Sequence, residues 1–366
     1  VAAVSTTGIA LTGVGVHAPP SEVSNEALCD AYNAWVRAER PDLQESHPAF
    51  IEKASGIRFR HFVDAEGILD PTCLCPRIPD RPDDVLSVQA ELALAAASPA
   101  LAEAGRAGSE VDLVIVAASA LQRPYPALAI EVQAALGAAG HGFDVGVGCS
   151  SATFAIALAV DALRAGRARC VLVCVPEVPS AYANFRDRDS HFILGDAAAA
   201  VVVERVEDAA DGGWEILASV SHSRFSSAVR NNGGFLNRGD ASRRDLPDKL
   251  FYQQGRRVFR DIVGLVPEVM QGGLDAAGLA IPDIDRFWLH QANGRMNAAI
   301  LKRLLGREGT TAEAPSTLER FGNTAAAGVL QSFAAPQPSA VPGDIGLLCA
   351  FGAGYTVGLQ VLRRLG

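Results

Sequence analysis

Four short stretches of this chain hold residues able to act on one reacting group: "VGVGCSSATF" (145–154), "WLHQAN" (288–293), "RFGNTAAAG" (320–328) and "AFGAGYTVG" (350–358). Cys149 lies between a Gly-Val alternation and an apolar run with helical character. A thiol at a helix start meets unpaired N–H groups and the positive end of the helix dipole, which favour thiolate. His290 stands at the end of a strand-like run, with Gln291 and Asn293 following where a buried strand would stay apolar. Asn323 precedes a helix of small residues, and the glycine-rich 350–358 segment turns after a strand. Taken singly, these are also a packed thiol, a core histidine, a capping asparagine and a tight turn. Together, a nucleophilic Cys, a His, an Asn and exposed backbone amides make an acyl-transfer site.

The elements that must position these residues alternate between strands and helices. Continuous apolar runs at 111–119, 143–148, 169–175, 197–206, 286–290 and 345–351 predict strands, and helices are expected over 86–105, 125–137, 150–166, 251–278 and 293–305. Strands without polar alternation belong to sheets covered on both faces, which makes the fold class α/β. "EAGRAGSEVDLVIVAAS" (103–119) matches "AAGLAIPDIDRFWLHQA" (276–292) at an offset of 173, and "CVLVCV" (170–175) matches "IGLLCA" (345–350) at 175. Two ordered matches at nearly one offset predict two duplicated halves, 1–207 and 208–366, meeting at the turn-rich "DAADGG" (208–213). The nucleophile candidate would sit on the first half, and His290 and Asn323 on the second. Residues 66–86 and 222–250 fall outside the repeat and are expected to be long loops covering a site.

With 366 residues the chain can bury a large core. A formal net charge of −9 disfavours nucleic acid and anionic membranes as partners. No apolar run approaches a membrane span, and a cytoplasmic location is expected. Seven widely spread cysteines do not read as a disulfide framework. The Cys73-x-Cys75 spacing is poor for a metal, so no metal site is expected, and Cys170, Cys174 and Cys349 read as buried.

The ordered set "VGCSSATF", "LHQAN", "GNTAAAG" and "FGAGYTVG", with "SGIRFRHF" (55–62) and "HFILGDAAAA" (191–200), resembles the β-ketoacyl-acyl-carrier-protein synthase III family of the thiolase superfamily. The resemblance spans nearly the whole chain. It implies a thiolase-like five-layered αβαβα fold of two duplicated halves and a homodimer. It also implies a decarboxylating condensation in fatty-acid or polyketide initiation. Cys149, His290 and Asn323 would be the catalytic set, and the backbone N–H groups of Cys149 and Ala353 the oxyanion hole. No permanently bound cofactor is implied, only acyl-CoA or phosphopantetheine-linked acyl and malonyl substrates, with acyl carrier protein as partner. The alternative is an acyltransferase on the same fold that moves an acyl or malonyl group to a hydroxyl or amine without decarboxylation. Asn323 favours the condensing reading.

By the same resemblance, Phe50 and Arg188 flank the substrate tunnel, while the position of a first family arginine reads Ala54, next to Lys53. That departure favours a carrier-bound primer. Tyr125 would close the acyl pocket of a neighbouring subunit. Arg295, Lys302 and Arg303, at i, i+7 and i+8 of one helix, would dock an acidic carrier protein. His191 departs from the family pattern and carries no assigned role.

Overall fold

The computed structural model describes residues 4–5, 8–209, 212–243, 246–336 and 339–366. Nine strands form the continuous path of its ten-stranded main sheet: β1 (Ile9–His17), β2 (Leu113–Ala117), β3 (His141–Val145), β4 (Cys170–Glu177), β5 (Ala197–Arg205), β6 (Trp214–Ser226), β7 (Arg286–Leu289), β8 (Ile345–Gly352) and β9 (Gly354–Arg364), with the two-residue strand Val4–Ser5 paired to β6 beside that path. The first half orders its strands β1-β5-β4-β2-β3 and the second β6-β9-β8-β7. The pairing senses match as well: antiparallel for β1–β5 and β5–β4, parallel for β4–β2; then antiparallel for β6–β9 and β9–β8, parallel for β8–β7. β2 therefore corresponds to β7 and β4 to β8, the strands joined by the two sequence matches. β1 and β6 pair at Ala10–Glu215 and Leu11–Trp214, which joins the two half-sheets.

The helices of eight or more residues are α1 (Asn25–Glu39), α2 (Pro48–Ser55), α3 (Val88–Ala104), α4 (Leu128–Leu136), α5 (Ser151–Arg164), α6 (Gly255–Ala277), α7 (Gly294–Leu305) and α8 (Ala327–Ala334), and the last six cover the sheet. α5 and α8 touch strands of both halves and form the central layer. The buried face of α5 is small or branched (Ala152, Ala155, Ile156, Ala159, Val160), so two sheets can close on it at interior packing density. α3 and α4 cover the outer face of the first half-sheet, and α6 and α7 that of the second. The result is the five-layered α-β-α-β-α arrangement. α1 and α2 lie outside these layers, with an apolar cluster of their own around Tyr32, Trp35, Ile51, Phe62 and Phe192.

Several element boundaries differ from those read in the sequence. The strand expected over 143–148 spans His141–Val145, because Gly148 turns the backbone to φ 61°. Pro124 and Pro126 delay the helix expected from 125 until Leu128. β6 runs on to Ser226, into the segment read as a loop from 222, and the 66–86 segment begins with a helical turn, Glu66–Leu69. Residues 210–211 and 244–245 of the segments discussed above lie outside the described residues. Among the described residues, no helix is long and apolar enough to cross a membrane.

Candidate active site

Cys149 follows β3 at the turn into α5, partly exposed to a cavity of about 650 Å³. The same cavity is lined by His290, Asn323, Ala353, Phe50, Arg295 and Arg256. The turn between β8 and β9 presses directly on Cys149: a Cβ added to Gly352 would stand 2.8 Å from Cys149 Cβ. Only glycine fits there, which explains why that stretch is glycine-rich. Ala353 is brought alongside, its backbone N 3.8 Å from where a side chain on Gly148 would begin.

His290 leaves the end of β7 with its N–H donating to the Cys349 carbonyl (2.9 Å). Its neighbours hold the turn. Gln291 accepts from Ser316 Oγ (2.9 Å) and Thr317 N (3.1 Å). Asn293 caps α7 by accepting from Arg295 N and Met296 N, and donates to the Ala54 carbonyl (3.0 Å). Those polar side chains interrupt the apolar pattern because they fix backbone, not because they face the cavity together. The imidazole is buried, and burial lowers its pKa to about 4, while the Ala325 carbonyl, as a hydrogen-bond acceptor, pulls the other way. At neutral pH His290 is an uncharged donor–acceptor.

Asn323 is pinned by backbone: its N donates to the Ile193 carbonyl (2.8 Å) and its carbonyl accepts from Gly195 N (3.1 Å). The "HFILGD" stretch therefore serves as the bracket for this asparagine. The side-chain Oδ1 accepts from Ala325 N (3.0 Å), which leaves the Nδ2 donor for the cavity side. Ala325 itself adopts φ 48°, a left-handed conformation unusual for a residue with a Cβ.

Glu177 was not singled out by sequence reasoning, although a carboxylate ending the apolar run "CVLVCVPE" is an available signal. It is fully buried and accepts from Ser119 N (2.7 Å), Ser119 Oγ (2.6 Å) and Ala326 N (3.1 Å). It thereby ties the end of β2 to the turn that carries Asn323. Burial raises its pKa to about 7, against the hydrogen bonds that lower it. Tyr182 extends the chain, its hydroxyl 2.7 Å from Ser119 Oγ.

The thiolate expected at the start of α5 is corrected by this environment. Burial, followed by repulsion from Glu177, pushes the Cys149 thiol up to about 12, outweighing the backbone hydrogen bond that favours its anion. The resting site pairs a protonated thiol with a neutral imidazole.

The other expected residues are spread more widely. Phe50, on α2, lines the cavity and carries the Arg188 guanidinium 4.3 Å above its ring. Arg188 Nε donates to the Glu45 carbonyl (3.0 Å). Ala54 lines the cavity and Lys53 is exposed. Arg295 stands at the cavity edge, Lys302 is 2.7 Å from Glu308, and Arg303 is exposed. Tyr125 is 82% exposed and lies away from the cavity of its own chain. His191 is buried, stacked on Tyr32 and 3.0 Å from Ser46 Oγ, a packing role beside the cavity. Cys170, Cys174 and Cys349 are buried as read. Among the described residues no cluster of three His, Cys, Asp or Glu could hold a metal ion.

Comparison with known proteins converges on one family. Residues 143–224 match the family described as 3-oxoacyl-[acyl-carrier-protein] synthase III, and residues 274–364 match its C-terminal counterpart. A β-ketodecanoyl-[acyl-carrier-protein] synthase of Pseudomonas aeruginosa is 47% identical over 332 residues, covering 90% of this chain and 95% of that protein. A β-ketoacyl-[acyl-carrier-protein] synthase III of Rhodospirillum rubrum is 33% identical over 360 residues, 96% of this chain and 98% of that protein. Among solved structures, the priming β-ketosynthase of the R1128 polyketide pathway superposes with a TM-score of 0.77 at 26% identity, covering 98% of this chain and 97% of that one. The 3-oxoacyl-[acyl-carrier-protein] synthase III of Aquifex aeolicus gives 0.75 at 25% identity, over 97% and 100%. Nothing among these relatives supports the acyltransferase alternative. The chain belongs to the β-ketoacyl-acyl-carrier-protein synthase III family of decarboxylating condensing enzymes.

Proposed function

We propose that Cys149 is the acylated residue of this condensing enzyme and that His290 and Asn323 act on the malonyl extender. The observation that carries the assignment is their shared cavity, which also receives Ala353. In the first stage Cys149 Sγ attacks the primer thioester carbonyl, the carbon–sulfur bond to the carrier breaks, and the Cys149 proton ends on the carrier sulfur, which departs as a thiol. Cys149 N–H and Ala353 N–H hold the developing oxyanion. In the second stage the malonyl group loses CO₂ and the enolate carbon attacks the acyl-enzyme, forming the new carbon–carbon bond and releasing Cys149. The enolate oxygen is held by the Asn323 amide and by the single imidazole N–H of His290, which exchanges the Ala325 carbonyl for the enolate oxygen. A histidine with its pKa at about 4 supports this reading, because a neutral donor stabilises the enolate without gripping the departing carboxylate.

The primer on this reading is a medium-chain acyl group, as the name of the 47%-identical relative suggests. It arrives on carrier protein, with Ala54 replacing an arginine that coenzyme A would use. Phe50 and Arg188 guide the pantetheine arm, and Arg295, Lys302 and Arg303 face the acidic carrier. The two halves divide at 207/208. A homodimer is supported by the edge strand β3, which among the described residues pairs on one side only, with Ile130 49% and Leu158 40% exposed on the neighbouring helices. Tyr125 would then reach the partner's acyl pocket. A cytoplasmic location remains part of the proposal.

The test is a two-stage assay. Medium-chain acyl thioesters on coenzyme A or carrier protein are offered first, malonyl-carrier protein second, and intact mass and labelled CO₂ are followed. The expected outcome is a Cys149 acyl adduct that is consumed with CO₂ release, faster from the carrier donor. An adduct that forms and persists without CO₂ loss would defeat the condensing assignment of these residues.

A further inference from the structure

Apart from Cys149, the two cysteines that reach solvent are Cys73 and Cys75, in "DPTCLCPR" (70–77). Their sulfurs stand 3.2 Å apart. A disulfide needs about 2.05 Å between sulfurs, so roughly 1 Å of movement closes the bond.

The loop is built to keep the two thiols together. Asp70 Oδ1 accepts from Thr72 N (2.9 Å) and Thr72 Oγ1 (2.7 Å), and its carbonyl accepts from Cys73 N and Leu74 N (both 2.9 Å). Leu74 is buried between them at φ 50°, a left-handed residue that folds the chain back so that both cysteines point the same way. Past the pair, Arg77 N donates to Asp64 Oδ2 (2.6 Å) and its guanidinium pairs with Asp70. Gly67 lets the returning strand approach: a Cβ there would lie 2.4 Å from the Cys75 carbonyl. On the far side, Arg186 Nη2 holds the Cys73 carbonyl (2.8 Å).

We propose that Cys73 and Cys75 are a reversible dithiol site, closing to a disulfide on contact with a small disulfide oxidant and reopening with a dithiol reductant. A metal role is disfavoured by chemistry, because two sulfurs give half of a tetrahedral thiophilic site and no third ligand stands near among the described residues. The two thiols are unequal. The hydrogen bond from Cys75 lowers the pKa of Cys73, whereas burial raises that of Cys75. Cys73 is therefore the attacking sulfur. Its thiolate attacks one sulfur of the oxidant, breaking that S–S bond and releasing the first oxidant thiol. Cys75, losing its proton, then attacks the Cys73 sulfur of the mixed disulfide and releases the second. Two protein thiols are oxidised, and one oxidant disulfide is reduced to two thiols.

The full-length protein is incubated with oxidised glutathione, quenched in acid, alkylated and digested with trypsin. The expected result is that peptide 61–77 loses two hydrogen masses, carries no glutathione, and recovers both alkylation sites after dithiothreitol. In the Cys75→Ser variant the second step is blocked, so glutathione stays attached to Cys73. A native peptide that remains fully alkylatable, or that retains glutathione on either sulfur, overturns the proposal. So does a Cys75→Ser protein without an adduct on Cys73. Since peptide 61–77 is read separately from the peptide containing Cys149, failure here leaves the condensing assignment untouched.

Discussion

Both central helices begin after a left-handed residue, and the two halves of the molecule use that equivalent place differently. Ahead of α5 the residue is Gly148 at φ 61°, and the next position is Cys149. Ahead of α8 it is Ala325 at φ 48°, two positions beyond Asn323. In the first half the conformation is held by a residue suited to it, and the product is a thiol that lines the cavity. In the second half it is held by one hydrogen bond from within the turn and one from outside it: Ala325 N donates to Asn323 Oδ1, and Ala326 N to Glu177. On the proposed assignment, one half presents the group that forms bonds to substrate, and the other a scaffold that aims an amide and an imidazole. Duplication of a fold thus supplies two equivalent turns, and the local residues decide which of them carries the thiol.

The comparison breaks most severely at the nucleophile. Cys149→Ala is expected to abolish acyl uptake and lower condensation by about 10⁴-fold or more, read by intact mass and product formation. A variant that still takes up acyl groups would move the covalent role elsewhere. The second half should respond in a different stage. Asn323→Ala is expected to slow decarboxylative condensation by about 10²–10³-fold while the acyl-enzyme still forms, since one donor to the enolate is lost. If acylation and CO₂ release fall together, the division of labour between the halves is wrong.

Glu177 sharpens the comparison at the seam. Its folded pKa of about 7 lies above the ordinary 4.5, so between those values the folded state holds the extra proton. Stability from this group is greatest below pH ~4.5 and is lost as pH rises through about 7. Glu177→Gln, which mimics the protonated form, should remove on the order of 2–3 kcal/mol of that decline between pH 5 and 8. Chemical denaturation of both proteins at the two pH values measures it, and parallel pH slopes would refute the assignment. Asp196, raised by burial to about 6, contributes a decline of the same sign to both proteins. The smallest effects concern the left-handed residues themselves. Gly148→Ala meets Ala353 only at ordinary contact distance, so its cost is backbone strain, about 1 kcal/mol. Ala325→Gly relieves the same strain and should change stability by less than about 1 kcal/mol, in the stabilising direction. A large loss there would mean that the Ala325 methyl, not its backbone, is what matters.

Much of this architecture was legible in the sequence because apolar strands advertise themselves. "CVLVCV" and "IGLLCA" fall on β4 and β8, which occupy equivalent places in the two half-sheets. The cavity residues were legible for a different reason: polar side chains at strand ends and glycines beside them have few structural explanations in common. What escaped was set by packing across the chain. β1, β6 and β9 were not among the strands read, since "IALTGVGVH", "WEILASVSHSRFS" and "GYTVGLQVLRR" mix apolar positions with glycine or polar residues whose burial depends on neighbours far away in sequence. The charge state of Cys149 was misread because helix position is local, whereas desolvation and Glu177 arrive through the fold. The bracket that Ile193 and Gly195 make around Asn323 joins positions more than a hundred residues apart, and no spacing rule reveals it.

The short pairing of β1 with β6, at Ala10–Glu215 and Leu11–Trp214, limits how this molecule can move. Two lobes that share a hydrogen-bonded sheet and both central helices cannot part like a jaw. A hinge opening would strip α5 and α8 of one of their two sheets. The slot between Cys149 and Asn323 therefore has a width fixed at folding. On the proposed assignment, traffic through it is left to the rim, where the Arg188 side chain lies across Phe50 and a rotamer change costs far less than a domain swing.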